Sequence, residues 1–158
     1  GTSGLLIFAK SFQIPEKFAA QWEHEEKKYI AVVHGTLAEK SGLIESFLAE
    51  GDDYKMRSVE NSKDGAFART QYNVIKASKH HSLLEIKLLT GKKNQIRVHL
   101  SEHGHPIVGD KKYTKQAKGR LALHAWSIRF KHPFTNAEMT FETKIPDYFL
   151  TYFNQSDD

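Results

Sequence analysis

Residues 88–113, LLTGKKNQIRVHLSEHGHPIVGDKKY, hold the side chains whose types and spacing are most suited to chemistry. Gly91 ends an apolar run and Asn94 is a favourable N-cap, so Arg97 is predicted one turn inside a short helix. Lys93 lies four residues earlier and would share its face. A guanidinium there can bind a carboxylate or a phosphate through two parallel hydrogen bonds. Taken alone, such a residue is more often a solvated surface arginine.

The same segment contains a second pattern, His99-Leu100-Ser101-Glu102-His103, which fits the inverted zinc-peptidase motif H-x-x-E-H. That spacing sets two imidazoles on one helix face beside a glutamate base. The motif specifies few positions, however, and a third ligand would have to come from Glu138 or Glu142. Gly104 also indicates that the helix ends where a metal site needs rigidity. We predict no metal site and keep a zinc hydrolase as a remote alternative.

Positive charge is concentrated in this part of the chain. Residues 92–131 contain ten of the 23 Lys and Arg residues but only two acids, Glu102 and Asp110. The other residues hold 13 basic and 17 acidic groups, so the net charge of +4 comes from this region. A basic face of this kind is typical of a protein that binds a polyanion, although a solvated lysine-rich loop has the same composition.

Composition narrows the remaining classes. The 158 residues fit one domain, and the absence of cysteine excludes disulfides and cysteine-based zinc sites. No apolar run approaches the roughly 20 residues that span a bilayer. The short run Leu5–Ala9 has no basic region before it, so it does not resemble a signal peptide. We therefore expect a cytoplasmic protein that does not bind membranes.

Hydrophobic periodicity predicts an α+β fold, with a mixed, mostly antiparallel sheet and a few flanking helices. The unbroken apolar run at Leu5–Ala9 is typical of a strand buried on both faces. Further strands are predicted at Tyr29–Val33, Thr70–Ala77, Ser82–Leu89, Leu121–Phe130 and residues 138–145. Helices are predicted at residues 14–25, from Asn94 with Ile96 and Leu100 buried, and after Pro146-Asp147. Residues 42–60 are ambiguous, and Asp64-Gly65 indicates a turn.

Four blocks of the chain, in order, closely resemble the RluA-type pseudouridine synthases, which isomerise uridine in ribosomal and transfer RNA. The blocks are TSGLLIFAK from Thr2, KKYIAVVHG around Tyr29, residues 88–113 with QIR at Gln95-Ile96-Arg97 and GHPIVGDKKY, and LALHAWSIRFKHP from Leu121. Together they extend over nearly the whole chain. The resemblance implies that residues 1–158 are the C-terminal part of a pseudouridine synthase catalytic domain that lacks its N-terminal part.

The resemblance also implies roles for individual residues. Tyr29 would stack on the uracil and help with proton movement, whereas a tyrosine half-buried in a strand is the ordinary alternative. Arg97 would pair with the catalytic aspartate, and Ile96 would pack against the target base. The other residues predicted to contact substrate are Lys92, Lys93, Asn94 and Gln95. The target uridine would be flipped out of its RNA, ribosomal or transfer, and no metal or organic cofactor would be required.

Some residues that match the family pattern are expected to support the structure and not to take part in the reaction. A few other positions differ from that pattern. Asp110 matches a structural aspartate, and His124 is expected to be a satisfied buried histidine. Lys92-Lys93 stands where Arg-Thr or Arg-Ser is usual, and Asn94 stands where histidine is usual. Lysine keeps the charge but loses the bidentate fork, so phosphate contact would be looser.

The family's catalytic aspartate would fall just before Gly1, outside these 158 residues. We therefore expect a fragment or processed product that binds RNA weakly and does not catalyse, with a non-catalytic RNA-binding module as the alternative class. Missing upstream strands would leave a sheet edge without a partner, which favours self-association.

Overall fold

A computed structural model of the protein describes residues 1–10 and 25–154. Within these ranges, two short helices accompany a sheet of eight strands. The strands are β1 (Ser3–Gly4), β2 (Glu26–His34), β3 (Ser41–Glu50), β4 (Met56–Val59), β5 (Ala66–Ala77), β6 (His81–Leu88), β7 (Leu123–Lys131) and β8 (Glu138–Glu142). The helices are α1 (Gln95–Glu102) and α2 (Asp147–Leu150), with a 3₁₀ turn at Thr151–Phe153. Among the described helices, none has the length and apolar character that a bilayer crossing requires.

The sheet is mixed but mostly antiparallel, with the strand order β1-β7-β2-β6-β5-β3-β4. β1 runs parallel to β7, whereas the other described pairings are antiparallel. β8 pairs with β7 further along that strand than β1 does. The predicted α+β class is therefore confirmed.

The centre of the sheet is covered on both faces. β2 lies between β6 and β7, and Ile30–Val33 are all buried. α1 packs on one face, where the imidazole of His99 and the hydroxyl of Thr70 are 2.7 Å apart. α2 packs on the other face, where the ring of Phe149 meets that of His124 edge-on. This double coverage explains why β2 is apolar at successive positions rather than at alternate ones.

The prediction that Leu5–Ala9 forms a strand buried on both faces is wrong. β1 consists of Ser3–Gly4 alone, and the Leu5 N–H donates a last hydrogen bond to the carbonyl of Ala125. Beyond that bond Leu6 is 74% exposed and Phe8 is 81% exposed. The physical reason is position: among the described residues β1 has a single neighbour, β7, at the edge of the sheet.

Most other predicted elements are confirmed with shifted ends. β5 begins four residues before the predicted Thr70, and β6 ends at Leu88. The ambiguous residues 42–60 form β3 and β4, an antiparallel pair. β4 and β5 both pair with β3, so the turn at Asp64-Gly65 joins two strands that flank a third. The predicted helix at residues 14–25 lies, except for Glu25, outside the described residues.

Candidate active site

A cavity of about 380 Å³ opens between the first residues of the chain, the middle of the sheet and the start of α1. Tyr29 from β2 and Arg97 from α1 both line it. Thr2–Leu6, Lys92 and Ile96 contribute further parts of the wall. Leu123 and Ala125 from β7 line it as well, so the structure brings residues of all four blocks of the sequence pattern to a single cavity.

Tyr29 lies where the pairing of β2 with β7 is irregular. Lys28 is opposite Ser127 but Tyr29 is opposite Ala125, so β7 carries one extra residue at this point. A bulge of this kind redirects the side chains beside it. Burial raises the pKa of the Tyr29 phenol, which therefore stays protonated at neutral pH and can donate a hydrogen bond. The ring also lines a neighbouring cavity of about 320 Å³, so Tyr29 is accessible from both.

Arg97 forms a two-point ion pair with Asp110. Its Nε donates to Oδ2 at 2.9 Å and its Nη2 donates to Oδ1 at 2.7 Å. The Asp110 side chain is 1% exposed and that of Arg97 is 21% exposed. The hydrogen bond with Asp110 raises the pKa of Arg97, so the guanidinium is charged at every physiological pH. Within the described residues, Nη1 makes one long contact of 3.5 Å with Asn94 Oδ1, which leaves N–H groups to bind another anion.

The loop after α1 holds Asp110 in place. Asp110 Oδ1 also accepts the backbone N–H groups of Lys112 and Tyr113. Gly109 has φ of 78°, in the left-handed region, and a Cβ there would overlap the backbone carbonyl of Arg120. The carboxylate that orients Arg97 therefore depends on a backbone conformation that only glycine satisfies here.

Replacing Gly109 by Ala is expected to lower the free energy of unfolding by at least about 3 kcal/mol, because conformational strain and a backbone clash act together. Two matched variants separate these causes. Gly119 also has a positive φ, 79°, but a Cβ there would contact nothing, so Gly119→Ala is expected to lower the free energy of unfolding by about 1 kcal/mol. Gly91→Ala, also in open space, is expected to change stability by less than about 0.5 kcal/mol. Urea denaturation measures all three, and equal stabilities for the three variants would contradict the clash.

Gln95, predicted to contact substrate, lies below the surface at 2% exposure. Its Nε2 donates to the Arg69 carbonyl at 2.8 Å and to Thr70 Oγ1 at 2.9 Å. Its Oε1 accepts from Thr90 Oγ1 at 2.7 Å and from the Lys92 backbone N–H at 3.0 Å. With donors and acceptor all engaged, Gln95 ties the loop that carries Lys92 to the sheet. Gln95 also lines the cavity, so contact with substrate stays a prediction.

Two predictions about the start of α1 need correction. Asn94 occupies the N-cap position but has a left-handed φ of 52°, and its side chain makes no capping hydrogen bond. Its Nδ2 instead donates to the hydroxyl of Tyr113 at 3.3 Å. Lys93 precedes the helix, and its ammonium pairs with Glu50 at 3.0 Å. Lys93 and Arg97 therefore bind carboxylates on different elements, because the left-handed turn at Asn94 separates them.

Glu25 was not singled out from the sequence, yet it lines the second cavity with Lys27, Tyr29 and Lys92. Burial raises the pKa of its carboxyl to about 7, and the nearby Lys27 opposes that rise. Oε2 is buried and has no hydrogen-bond partner among the described residues. The alternation of residues 25, 27 and 29 was the available signal, since alternate residues share one face of a strand.

Replacing Glu25 by Gln is expected to make stability less sensitive to pH. The folded state holds the Glu25 proton up to about pH 7, whereas the unfolded carboxyl releases it near 4.5. The free energy of unfolding should therefore fall as pH rises between these values, by about 1–2 kcal/mol once solvent screening is allowed for. Thermal melts at pH 5 and pH 8 measure this, with the exposed Glu60→Gln as control. The same pH response in Glu25→Gln and the parent protein would contradict it.

The H-x-x-E-H residues do not form a metal site. His99 has both ring nitrogens engaged, Nε2 with Ser46 Oγ at 2.9 Å and Nδ1 with Thr70 Oγ1 at 2.7 Å. Glu102 accepts the backbone N–H of Ser58. Among residues 1–10 and 25–154, no group of three or more His, Asp or Glu side chains is arranged to hold a metal ion. The geometry does not favour a zinc hydrolase.

His124 is a satisfied buried histidine, as predicted. Its Nδ1 is 2.8 Å from Ser3 Oγ and its Nε2 is 2.6 Å from Thr143 Oγ1. Burial lowers the pKa of its imidazole, so the ring is neutral at physiological pH. His124 thus fastens β1 to β7 beside the cavity and leaves no nitrogen for catalysis.

Solved structures share this fold. Human RNA Pseudouridylate Synthase Domain Containing 1 superposes with a TM-score of 0.73 over 89% of this chain and 61% of its own, at 24% identity. Human RNA Pseudouridylate Synthase Domain Containing 4 gives a TM-score of 0.69 at 27% identity, over 87% of this chain and 64% of its own.

Sequence comparison identifies the family. The chain is 37% identical to the uncharacterized RNA pseudouridine synthase YlyB of Bacillus subtilis, over 92% of this chain and 50% of that protein. It is 32% identical to tRNA pseudouridine synthase C of Vibrio parahaemolyticus, over 98% of this chain and 72% of that protein. It is 35% identical to ribosomal large subunit pseudouridine synthase D of Nitrosomonas europaea, over 92% of this chain and 46% of that protein. The chain thus spans about half the length of most curated relatives it matches. Since residues 1–102 also match the family model "RNA pseudouridylate synthase", the chain belongs to the RNA pseudouridylate synthase family.

Proposed function

We propose that this chain is the C-terminal part of the catalytic domain of an enzyme that converts uridine to pseudouridine in ribosomal or transfer RNA. The observation that carries the proposal is that Tyr29 and the doubly anchored Arg97 line one cavity. Family membership supplies the reaction, and the names of the relatives supply the two classes of RNA. The basic segment of residues 92–131 supplies charge for a polyanionic substrate.

The reaction needs a flipped base and a carboxylate. Removing the uridine from its stack costs a few kcal/mol, and stacking on an aromatic ring such as Tyr29 returns about 1–3 kcal/mol. Because these two energies are similar, contacts to the RNA phosphates must supply the free energy that favours the flipped state. Ile96 is buried at the cavity wall and offers an apolar surface to the base.

The nucleophile is proposed to be an aspartate upstream of Gly1. Thr2–Leu6 line the same cavity as Arg97, so a carboxylate on the residues just before them would lie near free N–H groups of that guanidinium. This carboxylate bonds to the ribose carbon that carries the base, and the bond from that carbon to the base nitrogen breaks. The base turns, C5 bonds to the same ribose carbon as the carboxylate leaves it, the proton leaves C5, and the ring nitrogen gains a proton.

The decisive experiment is tritium release from RNA that carries 5-³H-uridine. The 158-residue chain is compared with a version extended upstream. Release by the extended form alone supports the proposed reaction and the position of the nucleophile. Release by the short chain would contradict the upstream aspartate. If neither form acts on ribosomal or transfer RNA, the isomerase proposal fails and a non-catalytic RNA-binding module is favoured.

We also predict that the isolated 158-residue chain self-associates. β4 pairs only with β3 in the described part of the chain, and β1 has a single neighbour, β7. An open strand edge offers unpaired N–H and C=O groups to another copy. Light scattering across a concentration series measures this, and a monomer at high concentration would contradict it.

A further inference from the structure

A third cavity, of about 430 Å³, lies outside the active site and is lined by two short segments. Met56 and Arg57 begin β4, Lys55 directly precedes them, and Lys111–Lys115 come from the loop after α1. We call these eight residues the basic groove. Five of the eight are Lys or Arg and none is acidic. The groove therefore combines a concave shape with charge of one sign, which is the arrangement that concentrates anions.

The charges of the groove are poorly compensated from within the protein. The ammonium groups of Lys55, Lys111 and Lys115 form no ion pair within residues 1–10 and 25–154. Arg57 pairs with Asp53 at 2.8 Å, but both side chains are more than half exposed. Such an exposed pair contributes little and opens readily. The groove thus keeps several cations available for an external anion.

Tyr113 fixes the groove beside the active site. Its hydroxyl accepts the Met56 backbone N–H at 3.1 Å, which ties the loop after α1 to β4. Its ring centre lies 5.4 Å from the Arg97 guanidinium carbon and 6.0 Å from the ammonium of Lys112. One aromatic side chain therefore separates Arg97, at the cavity that holds the target, from the cations of the groove.

We propose that the basic groove binds the phosphodiester backbone of the RNA strand that flanks the target uridine. The proposal rests on the proposed function, since it places that strand beside Arg97. Backbone recognition is favoured over base recognition because the aromatic ring of the groove, Tyr113, already has cations near it. Flexible lysine ammonium groups contact phosphates as point charges and carry no sequence information. The groove therefore positions the strand, and the cavity selects the base.

The test is the salt dependence of RNA affinity, measured by fluorescence anisotropy with a 20-nucleotide oligouridine and the 158-residue chain. Lys55→Gln, Lys111→Gln and Lys115→Gln are combined in one variant. Each lost phosphate contact lowers the slope of log affinity against log salt by about 0.7, so the slope should fall by about 2. Affinity at 0.1 M salt should fall by about 100-fold. The control variant combines Lys40→Gln, Lys63→Gln and Lys79→Gln, which are exposed lysines outside the groove.

The control carries the same charge change, so it should alter the slope by less than about 0.5. Equal losses in both variants would mean that overall charge, not the groove, binds RNA, and would overturn the proposal. No loss in the groove variant would also overturn it. Polyglutamate of matched charge is the competing ligand, and equally tight binding to the groove would overturn the assignment to RNA. Tritium release tests the isomerase proposal separately. If the upstream-extended protein releases no tritium but its RNA affinity still depends on these three lysines, the proposed function is refuted. The assignment of RNA binding to the groove then stands.

Discussion

Replacing Arg97 by Met is expected to lower the free energy of unfolding by about 3–5 kcal/mol, because it leaves the carboxylate of Asp110 buried without its cation. Asp110→Asn should lower the free energy of unfolding by less, about 2–3 kcal/mol, because the guanidinium is partly exposed and water can reach it. Arg97→Lys keeps the charge but not the second hydrogen bond, and should lose about 1–2 kcal/mol. Urea denaturation measures this order. Losses below about 1 kcal/mol for both Arg97→Met and Asp110→Asn would show that the pair contributes little.

The same ion pair should govern activity in the upstream-extended protein. Removing a charge-assisted contact that acts in the transition state typically lowers kcat by about 10²–10³. Arg97→Met is therefore expected to lower the rate of tritium release by that factor, and Asp110→Asn should lower kcat with little change in KM, since it only frees Arg97 to move. The groove variant Lys111→Gln is the comparison, because a lost phosphate contact raises KM instead. A purely structural ion pair would leave kcat unchanged in the fraction of Asp110→Asn that is folded.

Replacing Tyr29 by Leu is the second substitution with a large expected effect. Loss of base stacking removes about 1–3 kcal/mol, which corresponds to a fall of about 5–150-fold in kcat/KM for tritium release. Tyr29→Phe keeps the ring and removes only the hydroxyl, so the two variants separate stacking from proton movement. If Tyr29→Phe matches the parent protein, the phenol takes no part in proton movement. If Tyr29→Leu is also fully active, stacking on Tyr29 does not occur.

The pH profile gives an independent test of Tyr29. Because burial raises the pKa of the phenol above its ordinary value near 10, the hydroxyl remains protonated through the neutral and mildly alkaline range. Tritium release by the extended protein is therefore expected to show no loss from Tyr29 ionisation below about pH 10. A loss at lower pH that disappears in Tyr29→Phe would contradict the direction of this shift.

Local patterns in the chain were sufficient to predict the fold class and most strands, whereas Tyr29, Ile96 and Arg97 were assigned to the site from the resemblance to the RluA-type pseudouridine synthases. They succeed because side chains alternate along a strand and recur every three to four residues along a helix. Leu5–Ala9 shows the limit of such patterns. An apolar run indicates what a strand prefers, but whether both faces are covered depends on neighbouring elements.

The partners of the charged and polar side chains depended on the packing of distant elements. The sequence predicted an anion beside Arg97, but Asp110 reaches it because Gly109 turns the loop after α1 back towards the helix. Lys93, which precedes α1, forms an ion pair with Glu50 of β3. Gln95 is held in a buried position by hydrogen bonds to Thr70 of β5 and to Thr90 in the loop before α1.

The chain alone therefore specified the helices and strands, because that information is local and periodic, and the resemblance of its motifs indicated which residues belong to the site. Tertiary contacts specified which charges are neutralised and which stay free. The basic groove depends on this distinction, since Lys55 and Lys111 are far apart in the chain and meet through the hydrogen bond between Met56 and Tyr113. Coulomb energies depend on distance and solvent exposure, and neither can be read from spacing along the sequence.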